Sequence, residues 1–306
     1  MKKSILMPAI FFMAFISLLF SIYPVEAAID LEKADYNLDV FVNGKSISFP
    51  DQKPFIDTSI SRTYVPLRFI SEALGSTVQW DNKTQKILIS KGKISISLTI
   101  GNPVALVSND GAVRVVVIAP PELVKDRTVV PLRFISEVLG TEVNYNSPSA
   151  GKNGRIDISP KSVNLPEEPI KITIETSKGA IVAELYPKLM PITVGNFEKL
   201  FKSNFYNNLT FHRVEDWVIQ GGDPLGNGTG GPDWTIPLEM TPTLKNIRGA
   251  LAMARSSDPN SAGSQFYILK KDTPSLDGQY AVFGKITQGM DIVDKIEIGD
   301  KIISVK

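Results

Sequence analysis

The sequence predicts two folded units of different class: an α+β unit built from a repeat, and after it a mainly-β unit closed into a barrel and capped by two helices. Three observations predict this. A strand–helix stretch occurs twice in the first half of the chain, a proline-rich acidic break follows it, and short strands with glycine turns dominate from residue 170 onward.

The chain has 306 residues, a length that suits about two domains after a targeting segment. Lys and Arg total 33 and Asp and Glu 32, a formal charge of +1. That balance argues against a general nucleic-acid binder, which carries a basic excess. With no cysteine, disulfides, thiolate nucleophiles and Cys-based metal sites are excluded, and one histidine excludes a multi-His copper or zinc site. No cofactor is expected.

The N-terminus reads as an export signal. Lys2 and Lys3 precede an uncharged apolar run from Ser4 to Val25, and Val25-Glu26-Ala27 places small residues for cleavage after Ala27. The alternative is an uncleaved membrane anchor, since the run is long enough to span a bilayer. Both readings put the folded part outside the cytoplasm, secreted or associated with the cell envelope; a membrane contact is expected only without cleavage.

Each copy of the repeat has one plan. "RTYVPLRFISEALGSTV" (62–78) returns as "RTVVPLRFISEVLGTEV" (127–143). An extended stretch ends at Pro66 or Pro131, suited to the first position of a helix. Leu67, Ile70 and Leu74, and likewise Leu132, Ile135 and Leu139, fall at i, i+3 and i+7. Gly75 and Gly140 stand where each helix would stop. Alternating stretches such as "KILIS" (86–90) and "KISISLTI" (93–100) read as strands. One pseudo-symmetric α+β domain over 37–160 follows.

"VNGK" (42–45), "VQWD" (78–81) and the two helix motifs resemble the copper amine oxidase N-terminal-like, or stalk, domain, which is common in exported proteins of Gram-positive bacteria. The resemblance covers only the non-catalytic stalk. Arg68 and Arg133 read first as locally paired helix residues. Their functional alternative is contact with a cell-wall polymer or a protein. A linker is expected over 161–169, within "SPKSVNLPEEP" (159–169).

The second unit, 170–306, opens with a hairpin in which "KITIET" and "AIVAELY" flank Ser177-Lys178-Gly179. A helix is expected from Pro191, with Val194, Phe197 and Phe201 on one face, and a final helix carrying Met290, Val293 and Ile296 or Ile298.

"FHRVEDWVIQGGD" (211–223), "GALAMARSSDPNSAGSQFYI" (249–268) and "LDGQYAVFGKI" (276–286) resemble the cyclophilin-type peptidyl-prolyl cis–trans isomerases, in order and with compatible spacing. The resemblance implies a closed eight-stranded barrel and rotation about Xaa–Pro bonds, a reaction that needs no nucleophile, acid, base or metal. Carried over by position, Arg213 matches the catalytic guanidinium and Gln220 the glutamine that orients it and bonds the substrate backbone. Trp217, Val218, Tyr267, Leu276 and Tyr280 match the proline pocket, with Met253 and Phe266 nearby, and Ala254 and Arg255 match the edge that pairs with substrate main chain.

Several positions depart from the best-known members. Trp217 and Tyr267 replace Phe, Val218 replaces Met, Tyr280 replaces His, and Ser275 replaces Trp, which argues against tight cyclosporin binding. Arg255 replaces Asn, a change bearing on the residue that flanks proline. His212 reads as structural, because the reaction needs no base. Gly226 to Gly231 fits G-x-G-x-x-G but does not open a helix, so dinucleotide binding is rejected. Ser256 and Ser264 have no base in any motif and give no hydrolase.

The expected function is isomerisation of Xaa–Pro bonds in exported proteins, with folding or unfolded proline-containing chains as partners. The alternatives are a non-catalytic binder of proline segments and a wall-associated protein acting through the stalk.

Overall fold

The computed structural model describes residues 29–149, 152–160 and 166–306. The export signal expected over residues 1–27 lies outside the described residues. By chain contacts the protein divides near residue 165 into two units.

In the N-terminal unit the two repeat strands, Arg62–Pro66 and Arg127–Pro131, pair antiparallel with each other, with Val65 opposite Val130. The repeat therefore meets itself across a local pseudo-twofold. Each strand runs directly into a short helix, Leu67–Ala73 or Leu132–Val138. Each proline serves as N-cap and last strand residue, one position earlier than the first helical turn it was expected to fill. Ile70 and Ile135 are fully buried, as the spacing predicts. The first helix ends in a Schellman turn: Gly75, at φ +80°, donates to the Glu72 carbonyl and Ser76 to the Ser71 carbonyl. In the second copy Gly140 repeats the left-handed φ, while the Thr141 hydroxyl donates to the Ser136 carbonyl at 2.7 Å.

Five strands follow the first helix as an antiparallel meander, Thr77–Asp81, Lys86–Lys91, Ile94–Thr99, Val104–Asn109 and Ala112–Val117. After the second helix, Thr141–Asn146 pairs with Gly154–Pro160, which in turn lies parallel to Leu38–Val42. Arg68 pairs with Glu72 at 3.4 Å and Arg133 with Glu137 at 3.7 Å, each one turn along its own helix.

The C-terminal unit is a barrel. Its strands are β1 (Ile170–Thr176), β2 (Gly179–Leu185), β3 (Thr210–Val214), β4 (Val218–Asp223), β5 (Ala250–Met253), β6 (Phe266–Leu269), β7 (Val282–Gln288) and β8 (Ile302–Val305). They form one antiparallel sheet in the order β3-β4-β6-β5-β7-β2-β1-β8. Its two edges are joined by a bridge between Thr210 and Lys301 and by backbone bonds such as Ile302 N–H to the Leu209 carbonyl at 2.8 Å. Closure satisfies edge groups that would otherwise invite another chain.

Helix α1 (Pro191–Lys202) begins with Pro191 at its first turn, and the buried Glu239 carboxylate accepts from Ile192 N, Thr193 N and Thr193 Oγ1 at 2.9–3.1 Å. A carboxylate there meets the free N–H groups and the positive end of the helix. Phe197 drops into the barrel against Tyr206, Phe266 and Phe283, with ring centroids 5.0–5.6 Å apart. The last helix is shorter than the spacing predicts. Helix α2 is a single turn, Met290–Val293; Ile296 is buried beyond it in a non-helical turn, and Ile298 is 70% exposed. The chain must leave the helix there to reach β8 through Gly299. Among the described residues no helix is long and apolar enough to cross a membrane.

Candidate active site

Strand register assembles the site on the outer face of the barrel. Arg213 on β3 lies opposite Gln220 on β4, Gln220 opposite Tyr267 on β6, and Tyr267 opposite Ala252 on β5. These residues form one cross-strand row. A bulge makes the row end in Arg213. Between Phe211 and Arg213, β3 advances two residues while β4 advances one. Residues two apart on a regular strand share a face; here Phe211 is fully buried inside and Arg213 is exposed outside.

A cavity of about 460 Å3 lies over this row. Arg213, Trp217, Val218, Gln220, Ala254, Arg255, Tyr267, Leu276 and Tyr280, all expected from the sequence, line it, together with His212, Asn227 and Gly228. Met253 and Phe266 do not. They face each other across β5 and β6 on the inner face, 1% and 0% exposed, and Phe266 packs in the aromatic core. The reason is strand alternation: neighbours of the outward Ala254 and Tyr267 must point inward.

The cavity floor is apolar. Val218, Ala252, Tyr267 and Val282 are buried in one cluster, with Trp217, Leu276 and Tyr280 packed against it. The Tyr267 hydroxyl donates to Asn246 Oδ1 at 2.8 Å, and Asn246 is anchored on Asp277. Burial pushes the Tyr267 phenol far up, so it stays protonated.

The polar wall is wired residue by residue. Arg213 Nε donates to Glu215 Oε1 at 2.7 Å and Nη1 to Gln220 Oε1 at 3.4 Å, while Nη2 makes no hydrogen bond within the described residues. Glu215 Oε2 accepts from the Trp217 indole at 2.7 Å, and the guanidinium lies 5.2 Å from the Trp217 ring centre. The Arg213 bond first, and the indole bond second, hold the Glu215 carboxyl below its ordinary range. Gln220 Nε2 donates to Gln265 Oε1 at 2.9 Å, and Gln265 Nε2 donates to the carbonyls of Gly228 and Gly230 at 3.0 and 2.9 Å.

That last contact gives the glycine-rich loop its role. The loop opens no helix, and its Gly228 and Gly230 carbonyls accept from Gln265. Asp223 organises it by accepting from the backbone N–H groups of Leu225 and Asn227 at 2.8 and 2.9 Å and from that of Gly228. Burial alone would raise the Asp223 carboxyl, but these bonds outweigh it and lower it. Only glycine fits at 230, since a Cβ there would lie 2.1 Å from Asp223 Oδ1. His212 is half-buried beside the row, and burial holds its imidazole below the ordinary value.

Residues 171–304 match a family profile described as cyclophilin type peptidyl-prolyl cis-trans isomerase/CLD. A peptidyl-prolyl cis-trans isomerase of Helicobacter pylori is 47% identical over 137 residues, 44% of this chain and 83% of that protein. The chain belongs to the cyclophilin-type peptidyl-prolyl isomerases. Peptidyl-prolyl cis-trans isomerase B of Bacillus subtilis is 45% identical over 125 residues, 40% of this chain and 87% of that protein. A cyclophilin-type isomerase from Cryptosporidium parvum, solved in the presence of the dipeptide Ala-Pro, aligns with a TM-score of 0.42 at 33% identity over 44% of this chain and 97% of that one. Residues 41–150 match the copper amine oxidase N-terminal domain. In this cyclophilin, sequence reading missed Glu215, Gln265 and Asn246. Glu215 and Gln265 stand inside the quoted motifs, two residues from Arg213 and Tyr267, but their partners are set by register and loop path, while Asn246 lies outside those motifs.

Proposed function

We propose that the cavity over β3, β4, β5 and β6 holds the proline of an Xaa–Pro segment and that Arg213 carries the catalysis. Rotation about the bond faces a barrier of about 20 kcal/mol because it breaks amide resonance. As the amide twists, the imide nitrogen gains a lone pair that the planar ground state lacks. A fixed guanidinium that donates to it stabilises the twisted state selectively. Arg213 suits this role: its Nε and Nη1 are tied to Glu215 and Gln220, and its Nη2 makes no hydrogen bond among the described residues. Val218, Tyr267, Leu276 and Tyr280 give the proline ring an apolar seat, Trp217 closes one side, and Gln220, Ala254 and Arg255 border the substrate main chain. The observation that carries the reading is the Arg213–Gln220–Tyr267 row beneath one cavity.

The clients are proteins folding after export, and the N-terminal unit serves as a spacer at the cell envelope. The basic start and the apolar run to Val25 support this. Prolyl isomerisation of a short Xaa-Pro peptide by the full chain, followed by NMR exchange, tests the chemistry. Arg213→Ala is expected to lower kcat by about a hundred-fold or more, and an equally active variant overturns the assignment. Cell fractionation tests the location. The full chain is expected outside the cytoplasm and a variant lacking residues 4–25 inside; retention of the full chain in the cytoplasm overturns it.

A further inference from the structure

Two cavities meet at Arg255. One is the cleft already described. The other, about 500 Å3, is walled by Gly228 to Pro232, Trp234 and Thr235, and by Ser256, Ser261 and the segment from Gly263 to Gln265. Gln220, Gly228, Ala254 and Arg255 border both. Among the described residues no Asp, Glu or Lys lines either cavity; the charged side chains on their walls are Arg213 and Arg255.

The two arginines differ in their surroundings. Arg213 has the Glu215 carboxylate at 2.7 Å, so its charge is offset at contact. Half-buried Arg255 is held by neutral groups. Its Nε donates to the Gln279 carbonyl at 2.9 Å and its Nη1 to the carbonyls of Ser256 and Ser257 at 2.7 and 3.3 Å, with the guanidinium 4.9 Å from the Tyr280 ring centre. The nearest carboxylates in sequence have other partners. Asp258 accepts from Asn260 N, and Asp277 from Asn246 with Lys245 at 3.6 Å. Carbonyls and a ring face orient a cation without cancelling its net charge. The junction therefore carries a positioned positive charge with no ion-pair partner among the described residues.

We infer that Arg255 selects Xaa–Pro segments with an acidic residue close in sequence to the proline, its carboxylate meeting the guanidinium where the cavities join. The inference rests on the cleft being the proline site. Consecutive residues of an extended segment lie about 3.3–3.6 Å apart, so a side chain one to three residues from a seated proline reaches the adjoining cavity. A guanidinium already fixed in place loses little freedom on pairing. The same charge disfavours a neighbouring Lys or Arg.

The test is a peptide series with Glu, Gln or Lys at each of the two positions before and after the Xaa–Pro unit, assayed with the full chain. Turnover is read by NMR exchange, and affinity by titration of the same peptides. At one position Glu should exceed Gln by about three-fold in kcat/KM and in affinity, and Lys should fall below Gln by a similar factor. The spread should shrink as ionic strength rises from roughly 0.01 to 0.5 M. Arg255→Gln should flatten the order and Arg255→Glu should invert it. Equal affinity for the Glu, Gln and Lys peptides at every position overturns the inference, as does an order that survives Arg255→Gln. Affinity keeps this distinct from the catalytic reading: absent turnover strikes at Arg213, whereas the charge order in binding stands or falls on Arg255.

Discussion

Gln220 and Gln265 share one hydrogen bond, Nε2 to Oε1 at 2.9 Å, and that bond decides which end of Gln220 faces Arg213. With the amide nitrogen held by Gln265, the oxygen is left for the guanidinium. Gln265 in turn leans on the Gly228 and Gly230 carbonyls. Removing it should free the Gln220 amide to rotate. Gln265→Ala is expected to lower kcat/KM by about five-fold, the equivalent of one hydrogen bond of about 1 kcal/mol. An unchanged kcat/KM in a folded variant would show that Gln220 is oriented without it.

Glu215 clamps Arg213 and Trp217 together. Its folded carboxyl is depressed, first by Arg213 and then by the indole, so its contribution is present above the unfolded value and is lost as pH falls through the folded one. Burial, first of the causes, also holds the His212 imidazole below its ordinary value, and the proposed rotation takes no proton from it. Isomerisation by the wild type should therefore be flat from pH 8 to about 5 and decline only below the ordinary glutamate value of about 4.3. Glu215→Gln should reduce kcat by about three-fold at pH 7, with a smaller change in KM. A wild-type decline already under way between pH 7 and 6 contradicts this account.

The buried Tyr267 hydroxyl has one partner, Asn246 Oδ1, which is itself enclosed. Tyr267→Phe keeps the ring over the cavity floor but leaves that oxygen without its donor. Urea unfolding should show a loss of about 1–3 kcal/mol. A variant as stable as the wild type would mean that Asn246 finds another donor.

In the N-terminal unit, Gly75 and Gly140 end equivalent helices at φ +80° and +85°, and a Cβ added to either would meet nothing within 4 Å. Substitution there isolates backbone strain from crowding. Gly75→Ala and Gly140→Ala should each destabilise the unit by roughly 1–2 kcal/mol, measured by urea unfolding. Markedly different losses would show that the Thr141 hydroxyl bond relaxes the second turn.

Much of the architecture was legible before any coordinates. Helical spacing marked Leu67, Ile70 and Leu74 and their repeats, Ser177-Lys178-Gly179 marked the first hairpin, and the motifs around Arg213, Tyr267 and Leu276 marked the cleft. The inward placement of Phe266 and Met253 was legible too, since each adjoins an outward residue on an extended segment; motif proximity obscured it. The length of α2 was not. Its apolar spacing continues to Ile296, but the chain must turn back to feed β8.

The sequence by itself determined two units and their classes, because these follow from local periodicity and turn residues, and it carried the motifs whose resemblance to a family pointed to the cleft residues. The tertiary structure decided how those residues meet. The bulge between Phe211 and Arg213 turns one into the core and the other into the cleft, against the period of a regular strand. The Gln265–Gly230 and Arg255–Gln279 contacts join residues far apart in the chain. Such pairings depend on strand register and loop path, which are set by packing the whole barrel and are carried by no short stretch of residues.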